Sequence, residues 1–72
     1  MYKMFYQPKA SEPKLVETVP NRTAMVEFLD LREQLAKAMD FHTQRHGNTL
    51  VLLDNNKQVG VYYATQTRQK ED

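Results

Sequence analysis

The chain contains no cysteine, and this absence sets the first limits on its chemistry. Without cysteine there is no disulfide framework and no thiolate zinc site. At 72 residues the chain is a single short domain, and such a domain buries only about 60% of the surface that its unfolded form exposes. Small domains of this kind often gain stability by pairing with a copy of themselves or with a partner. We therefore expect a homodimer.

Glycine is almost as scarce, with Gly47 and Gly60 as its two positions. Two isolated glycines exclude a P-loop, a dinucleotide-binding fingerprint and a nucleophile elbow. A single small domain also offers little concave volume in which to desolvate a substrate. We expect no enzyme and no cofactor. A metal-independent nuclease using His42, Arg45 and His46 is the one enzymatic alternative.

Long apolar runs are missing as well. None approaches the roughly 20 residues of a membrane-spanning helix, and the N-terminal MYKMFYQPK lacks the apolar core of a signal peptide. We expect no membrane partner and a cytoplasmic location, or a host cytoplasm if the protein is phage-encoded. The net charge of +1 gives neither the basic surface of a duplex-DNA binder nor the acidity of a DNA mimic.

Two strands and a helix are predicted in the first half of the chain. The alternation in YKMFYQ and the apolar content of KLVETV indicate strands, and the prolines of PKASEP indicate a loop between them. An amphipathic pattern then runs from about Asn21, a favourable N-cap residue, to about Arg45, and it predicts one helix of roughly 35 Å.

The segment DFHTQRHGN carries two histidines four positions apart. On an extended helix, His42 and His46 occupy the last turns, and Gly47 follows at the position that favours a left-handed residue. A structural zinc site needs four ligands, and no glutamate follows the first histidine as in a zinc-protease helix. We interpret the segment as a helix end without metal.

A hairpin is predicted around Asn55-Asn56, since asparagine tolerates the positive φ angles of a type I′ turn. Pairing Asp54 with Lys57 divides the side chains between two faces. The face expected to meet the helix carries Leu50, Leu52, Val59, Val61 and Tyr63. The other face carries Thr49, Val51, Leu53, Gly60 and Tyr62, and it is too apolar for an ordinary solvent face.

These elements predict a two-layer α+β fold of order ββαββ, in which an antiparallel sheet packs on one long helix. The domain is expected over residues 1–64, and a flexible polar tail over 65–72. One helix covers one face of a sheet, so something else should cover the second face. Arg32 projects from the apolar side of the helix, and Phe41 lies on its polar side.

We therefore predict a small regulatory or inhibitory protein–protein interaction module that acts as a homodimer and binds another protein. The predicted interface residues are Val51, Leu53, Tyr62, Phe41 and Arg32. The alternative is a single-stranded nucleic-acid-binding protein, in which aromatic side chains stack on bases and lysines hold phosphates. The residues for that alternative are Tyr2, Lys3, Phe5, Tyr6, Lys9 and Lys14. The low net charge favours protein over nucleic acid.

Overall fold

The fold is a five-stranded antiparallel sheet with one helix on one of its faces. The computed structural model describes residues 1–66. The sheet order is β2-β1-β5-β4-β3. The elements are β1 (Tyr2–Pro8), β2 (Lys14–Val19), α1 (Arg22–Ala38), β3 (His42–His46), β4 (Thr49–Asp54) and β5 (Lys57–Gln66). The α+β class and the packing of a helix on an antiparallel sheet are confirmed, but a third strand follows the helix where two were predicted.

Strand β5 continues to Gln66, two residues past residue 64, where the domain was predicted to end. The rest of the predicted polar tail, residues 67–72, lies outside the described residues.

Helix α1 begins where its N-cap residue predicts but is much shorter than expected. The Asn21 side chain accepts a hydrogen bond from the Ala24 backbone amide at 2.8 Å, as an N-cap residue does. The helix has 17 residues, which corresponds to roughly 26 Å. The prediction of one long helix is therefore wrong. No helix in the described part of the chain is long and apolar enough to cross a membrane.

The helix ends through a capping motif built on an aspartate. Asp40 has a φ of 68°, a left-handed conformation that aspartate tolerates better than most residues. Its amide donates to the Lys37 carbonyl at 3.0 Å, and the Phe41 amide donates to the Ala36 carbonyl at 2.9 Å. These two bonds are those of a Schellman motif, and they turn the chain out of the helix.

The two histidines lie on β3, a strand at the edge of the sheet. The prediction that they end the helix is wrong. Strand β3 pairs with β4 in antiparallel register, with His42 opposite Leu53 and His46 opposite Thr49. Gly47 has a φ of 59° and is the first of two turn residues between these strands, where a type II′ turn places glycine.

The β4–β5 hairpin has the predicted turn but a different register above it. Asn55 and Asn56 have φ angles of 53° and 67°, and Asp54 pairs with Lys57, as predicted. Leu53 then pairs with Gln58, but Leu52 pairs with Gly60. One extra residue, Val59, makes this a β-bulge, which exchanges the two faces of β5 beyond it.

The bulge changes which side chains of β5 reach the core. Tyr62 packs against the core beneath the helix, so its predicted place on the other face is wrong. Val61 and Tyr63 lie on the face that the helix does not cover, because they pair with Val51 and Thr49. The buried core consists of Tyr2, Met4, Val19, Met25, Leu29, Ala36, Leu50 and Leu52.

Candidate functional site

Three of the five predicted interface residues meet at one place in the structure. Arg32, Phe41 and Tyr62 line a cavity of about 190 Å³ beside the C-terminal half of α1. Phe41 packs against the core just after the helix, so its predicted position on the polar helix side is wrong. Val51 and Leu53 do not join this group. They lie on the opposite face of the sheet, which we call the open face.

Arg32 is held against aromatic rings rather than against an acid. Its guanidinium carbon lies 4.7 Å from the ring centre of Phe28 and 5.6 Å from that of Tyr62. The two rings are themselves in edge contact, with centres 6.1 Å apart. A cation over aromatic faces is attracted by their quadrupoles.

The charge of Arg32 is nevertheless unneutralised. Among residues 1–66, no carboxylate lies within ion-pair distance of it. Among the described residues its buried Nε atom has no hydrogen-bond partner, which is also true of the Nε atom of the ion-paired Arg45. An anionic group from outside the described residues would neutralise the charge of Arg32.

Exposed apolar side chains surround Arg32 on the same flank of the helix. Leu31 is 55% exposed, Leu35 is 48% exposed and Met39 is 68% exposed. A second cavity of about 370 Å³ separates this flank from β2, and Arg32 lines both cavities. We call this surface the Arg32 groove; it consists of Ala24, Phe28, Leu31, Arg32, Leu35 and Met39.

The groove exists because one helix is too narrow for this sheet. Five strands place the outer two roughly 19 Å apart, whereas a helix with its side chains is about 10 Å wide. Helix α1 packs on β3, β4 and β1, and on β2 only Val19 is buried. The sheet beside the groove is therefore left partly uncovered.

The other flank of the helix is polar and is tied to β3. The Arg45 guanidinium donates to Asp30 at 2.8 Å and to Glu33 at 3.1 Å. The Thr43 hydroxyl donates to Glu33 at 3.1 Å, and Lys37 lies 3.4 Å from the same carboxylate. A hollow of about 510 Å³ opens beside these groups, but most of the charges that line it already have partners.

The environment of Glu33 alters its acidity. Burial alone would raise the pKa of this carboxyl, but hydrogen bonds from Thr43 and Lys37, the Lys37 charge and the Arg45 hydrogen bond lower it, and the net pKa is lowered. Glu33 is therefore charged at neutral pH and holds the helix to the edge strand.

The residues of the nucleic-acid alternative do not form one surface. Tyr2 is 8% exposed and belongs to the core, and Tyr6 packs against that core. Burial raises the pKa of the Tyr6 hydroxyl, and the neighbouring Tyr62 raises it further. Lys14 pairs with Tyr6 and shares its side of the sheet. Lys9 lies in the β1–β2 loop, so the open face retains only Lys3 and Phe5.

The histidines provide no metal cluster within the part of the chain that the structure describes. No three residues among its histidines, aspartates and glutamates lie close enough to share an ion. His42 and His46 are exposed on β3, on the open face with their partners Leu53 and Thr49.

The fold and these surfaces define a small α+β domain with an apolar groove around Arg32, a cation that has no acidic partner among residues 1–66. No protein-family model matches the chain, and no curated protein or solved structure matches it significantly. A functional assignment therefore rests on the geometry of the groove and of the open face. Sequence reasoning found Arg32, Phe41 and Tyr62, but it missed the exposure of Leu31, Leu35 and Met39, because periodicity does not reveal how much of a sheet one helix covers.

Proposed function

We propose that the protein is a non-catalytic protein-binding module that acts as a homodimer, and that two copies associate through the Arg32 groove. The observation that supports this proposal is Arg32, a half-buried cation without an acidic partner among the described residues. Glu27 lines the cavity between this groove and β2, as Arg32 does, and it has no ion pair within the described residues either. One molecule thus presents both halves of an ion pair that its described residues do not form internally.

The spacing of the groove residues matches the interface of a two-helix coiled coil. Ala24, Phe28, Leu31 and Leu35 follow one another at intervals of four, three and four residues, which is the spacing of heptad a and d positions. In this frame Glu27 occupies a g position, and Arg32 occupies the following e position. When two such helices pack in parallel, g and e residues of opposite helices form salt bridges.

A two-fold axis makes this contact reciprocal. Glu27 of each copy then meets Arg32 of the other copy, so one interface contains two ion pairs. The carboxylate supplies the anionic group that Arg32 lacks in the monomer. Phe28, Leu31 and Leu35 of the two copies pack against each other between the ion pairs.

The expected affinity is moderate. Fully burying a leucine or methionine side chain is worth about 1.5–3 kcal/mol, and Leu31, Leu35 and Met39 are each about half exposed. Six such side chains in a dimer contribute roughly 4.5–9 kcal/mol, which is comparable with the cost of association. The ion pairs therefore decide the balance, and we expect a dissociation constant in the micromolar range.

Sedimentation equilibrium at tens to hundreds of micromolar protein tests the proposal. Glu27→Arg and Arg32→Glu should each weaken the dimer, because each places two like charges opposite each other in both ion pairs. The double variant Glu27→Arg with Arg32→Glu restores opposite charges and should recover much of the affinity. Lys37→Gln, on the other flank of the helix, should leave the dimer unchanged.

Far-UV circular dichroism checks that each variant is folded before its association is measured. A wild-type protein that stays monomeric over this concentration range contradicts the proposal. The proposal is also contradicted if the double variant loses as much dimerisation free energy as the two single variants lose together. That result would show that Glu27 and Arg32 do not face each other.

A further inference from the structure

The open face of the sheet carries no carboxylate among the described residues. Glu17 pairs with the buried Met4 and so lies on the helix side. Asp54 lies at the hairpin turn, and the other described acids belong to α1 or to loops. Lys3 alternates with the buried Met4 along β1 and therefore lies on the open face. This surface does not repel an anion.

A row of aligned side chains crosses the open face over four neighbouring strands. Phe5 pairs with Tyr63, Tyr63 pairs with Thr49, and Thr49 pairs with His46. The rings of Phe5 and Tyr63 are stacked, with centres 5.4 Å apart and planes inclined by 20°. Thr49 has no ring, so Tyr63 and His46 are the nearest rings on either side of it in this row, two strands apart; we call the space above Thr49 between them the gap.

The size of this gap matches one planar ring. Adjacent strands are about 4.7–4.9 Å apart, so the strands that carry Tyr63 and His46 are separated by roughly 9–10 Å. A ring held between two others needs about 7–8 Å, which is two optimal carbon–carbon contacts. Thr49 forms the floor of the gap, and its hydroxyl both donates and accepts hydrogen bonds.

We propose that the gap between Tyr63 and His46 is a binding slot for one base of single-stranded nucleic acid. The base stacks between the two rings, and Phe5 backs the Tyr63 ring. Lys3 provides a cation for a phosphate, and no carboxylate from residues 1–66 lies on this face to oppose the polyanion. Splayed bases stacked on aromatic side chains of a sheet are a common mode of single-strand recognition.

This slot is independent of the proposed dimer, because the two surfaces lie on opposite sides of the sheet. Variants of Glu27 and Arg32 should leave nucleic-acid binding unchanged, and slot variants should leave self-association unchanged. The failure of one proposal is therefore distinguishable from the failure of the other.

Fluorescence anisotropy with labelled oligo(U) and oligo(dT) tests the slot, and the two probes separate RNA from DNA preference. We expect micromolar binding to at least one of them that weakens steeply as salt is raised. His46→Ala removes one wall, and Thr49→Leu fills the floor. Each should reduce affinity roughly fivefold or more. Tyr63→Leu should do the same, with its folding checked by circular dichroism.

His42→Ala is the matched control, because it removes the same side chain from the same strand and face but lies outside the row. It should leave the affinity almost unchanged. An equal loss with His42→Ala and His46→Ala, or full binding by Thr49→Leu, overturns the slot.

The absence of binding by either probe at hundreds of micromolar protein also overturns it. Self-association of the Val51→Lys variant tests whether the open face instead binds a second copy of the chain. If Val51→Lys abolishes self-association while the Glu27 and Arg32 variants do not, the open face is the dimer interface and the slot proposal fails.

Discussion

Replacing Gly60 by alanine should destabilise the protein, because the Tyr6 ring occupies the space where a Cβ atom would stand. A Cβ built on Gly60 overlaps the Tyr6 hydroxyl and lies 2.7 Å from the ring atoms Cε1 and Cζ. Tyr6 in turn is packed against Tyr62, with ring centres 4.6 Å apart. Because Tyr62 blocks movement of the Tyr6 ring in its direction, the Tyr6 side chain must move away from its position above Gly60.

The magnitude follows from two opposed effects. Forcing an extra group into a packed site costs about 1–3 kcal/mol, whereas alanine in a strand is favoured over glycine by roughly 0.5–1 kcal/mol. We expect a net loss of about 1–2 kcal/mol in the free energy of unfolding. For a domain of this size, that corresponds to a fall in Tm of roughly 4–16 °C.

Urea unfolding followed by far-UV circular dichroism measures the loss, and a second background tests its cause. In a Tyr6→Ala protein the space above Gly60 is free, so Gly60→Ala should be neutral or stabilising there. A loss of the same size in both backgrounds would show that Tyr6 is not responsible. A Gly60→Ala protein as stable as the wild type would refute the reasoning directly.

Two further substitutions test other local features. Ala10 has a φ of 61°, so Ala10→Gly should raise the free energy of unfolding by about 1 kcal/mol in urea titrations, and an unchanged midpoint would contradict strain there. Glu33→Gln should destabilise the protein at neutral pH. Because the folded pKa of Glu33 is lowered, the charged form stabilises the fold above the unfolded pKa, and this stabilisation disappears as pH falls through the folded value. The stability difference between wild type and variant should therefore shrink on acidification, whereas a constant difference would show that the charge of Glu33 contributes nothing.

The helix start and the second hairpin could be predicted because their signals are local. The Asn21 cap acts on an amide three residues away, and the Asn55-Asn56 turn needs only two residues that tolerate positive φ. Strands β1 and β2 likewise follow from alternation and from the prolines between them. Each of these signals is complete within a few neighbouring residues.

Strand β3 could not be predicted from apolar periodicity because it contributes no apolar side chain. Its inward residues, Thr43 and Arg45, bind Glu33 and Asp30 on the helix instead of entering the core. The amphipathic pattern also continues past Ala38, and the helix ends on an aspartate rather than on glycine or proline. Polar contacts between distant elements leave no periodic trace in the sequence.

The faces of β5 were assigned incorrectly because of a single residue. The bulge at Val59 is not required by the turn, and Gly60 is accommodated beneath Tyr6, a residue from the far end of the chain. Two tyrosines changed faces with it: Tyr62 lines a cavity together with Arg32, and Tyr63 lies on the open face. A tertiary contact thus decided a register that the hairpin alone left undetermined.

The central pairing of the sheet joins the first and the last of the described strands, since β1 runs beside β5 from Tyr2 opposite Gln66 to Pro8 opposite Gly60. The β1–β2 hairpin therefore has no place to attach until the last strand has been synthesised. Closing so large a loop is entropically costly and slow. During translation the β1–β2 hairpin stays unpaired, with its apolar side exposed, until β5 has left the ribosome, so we expect the sheet to form only after that point.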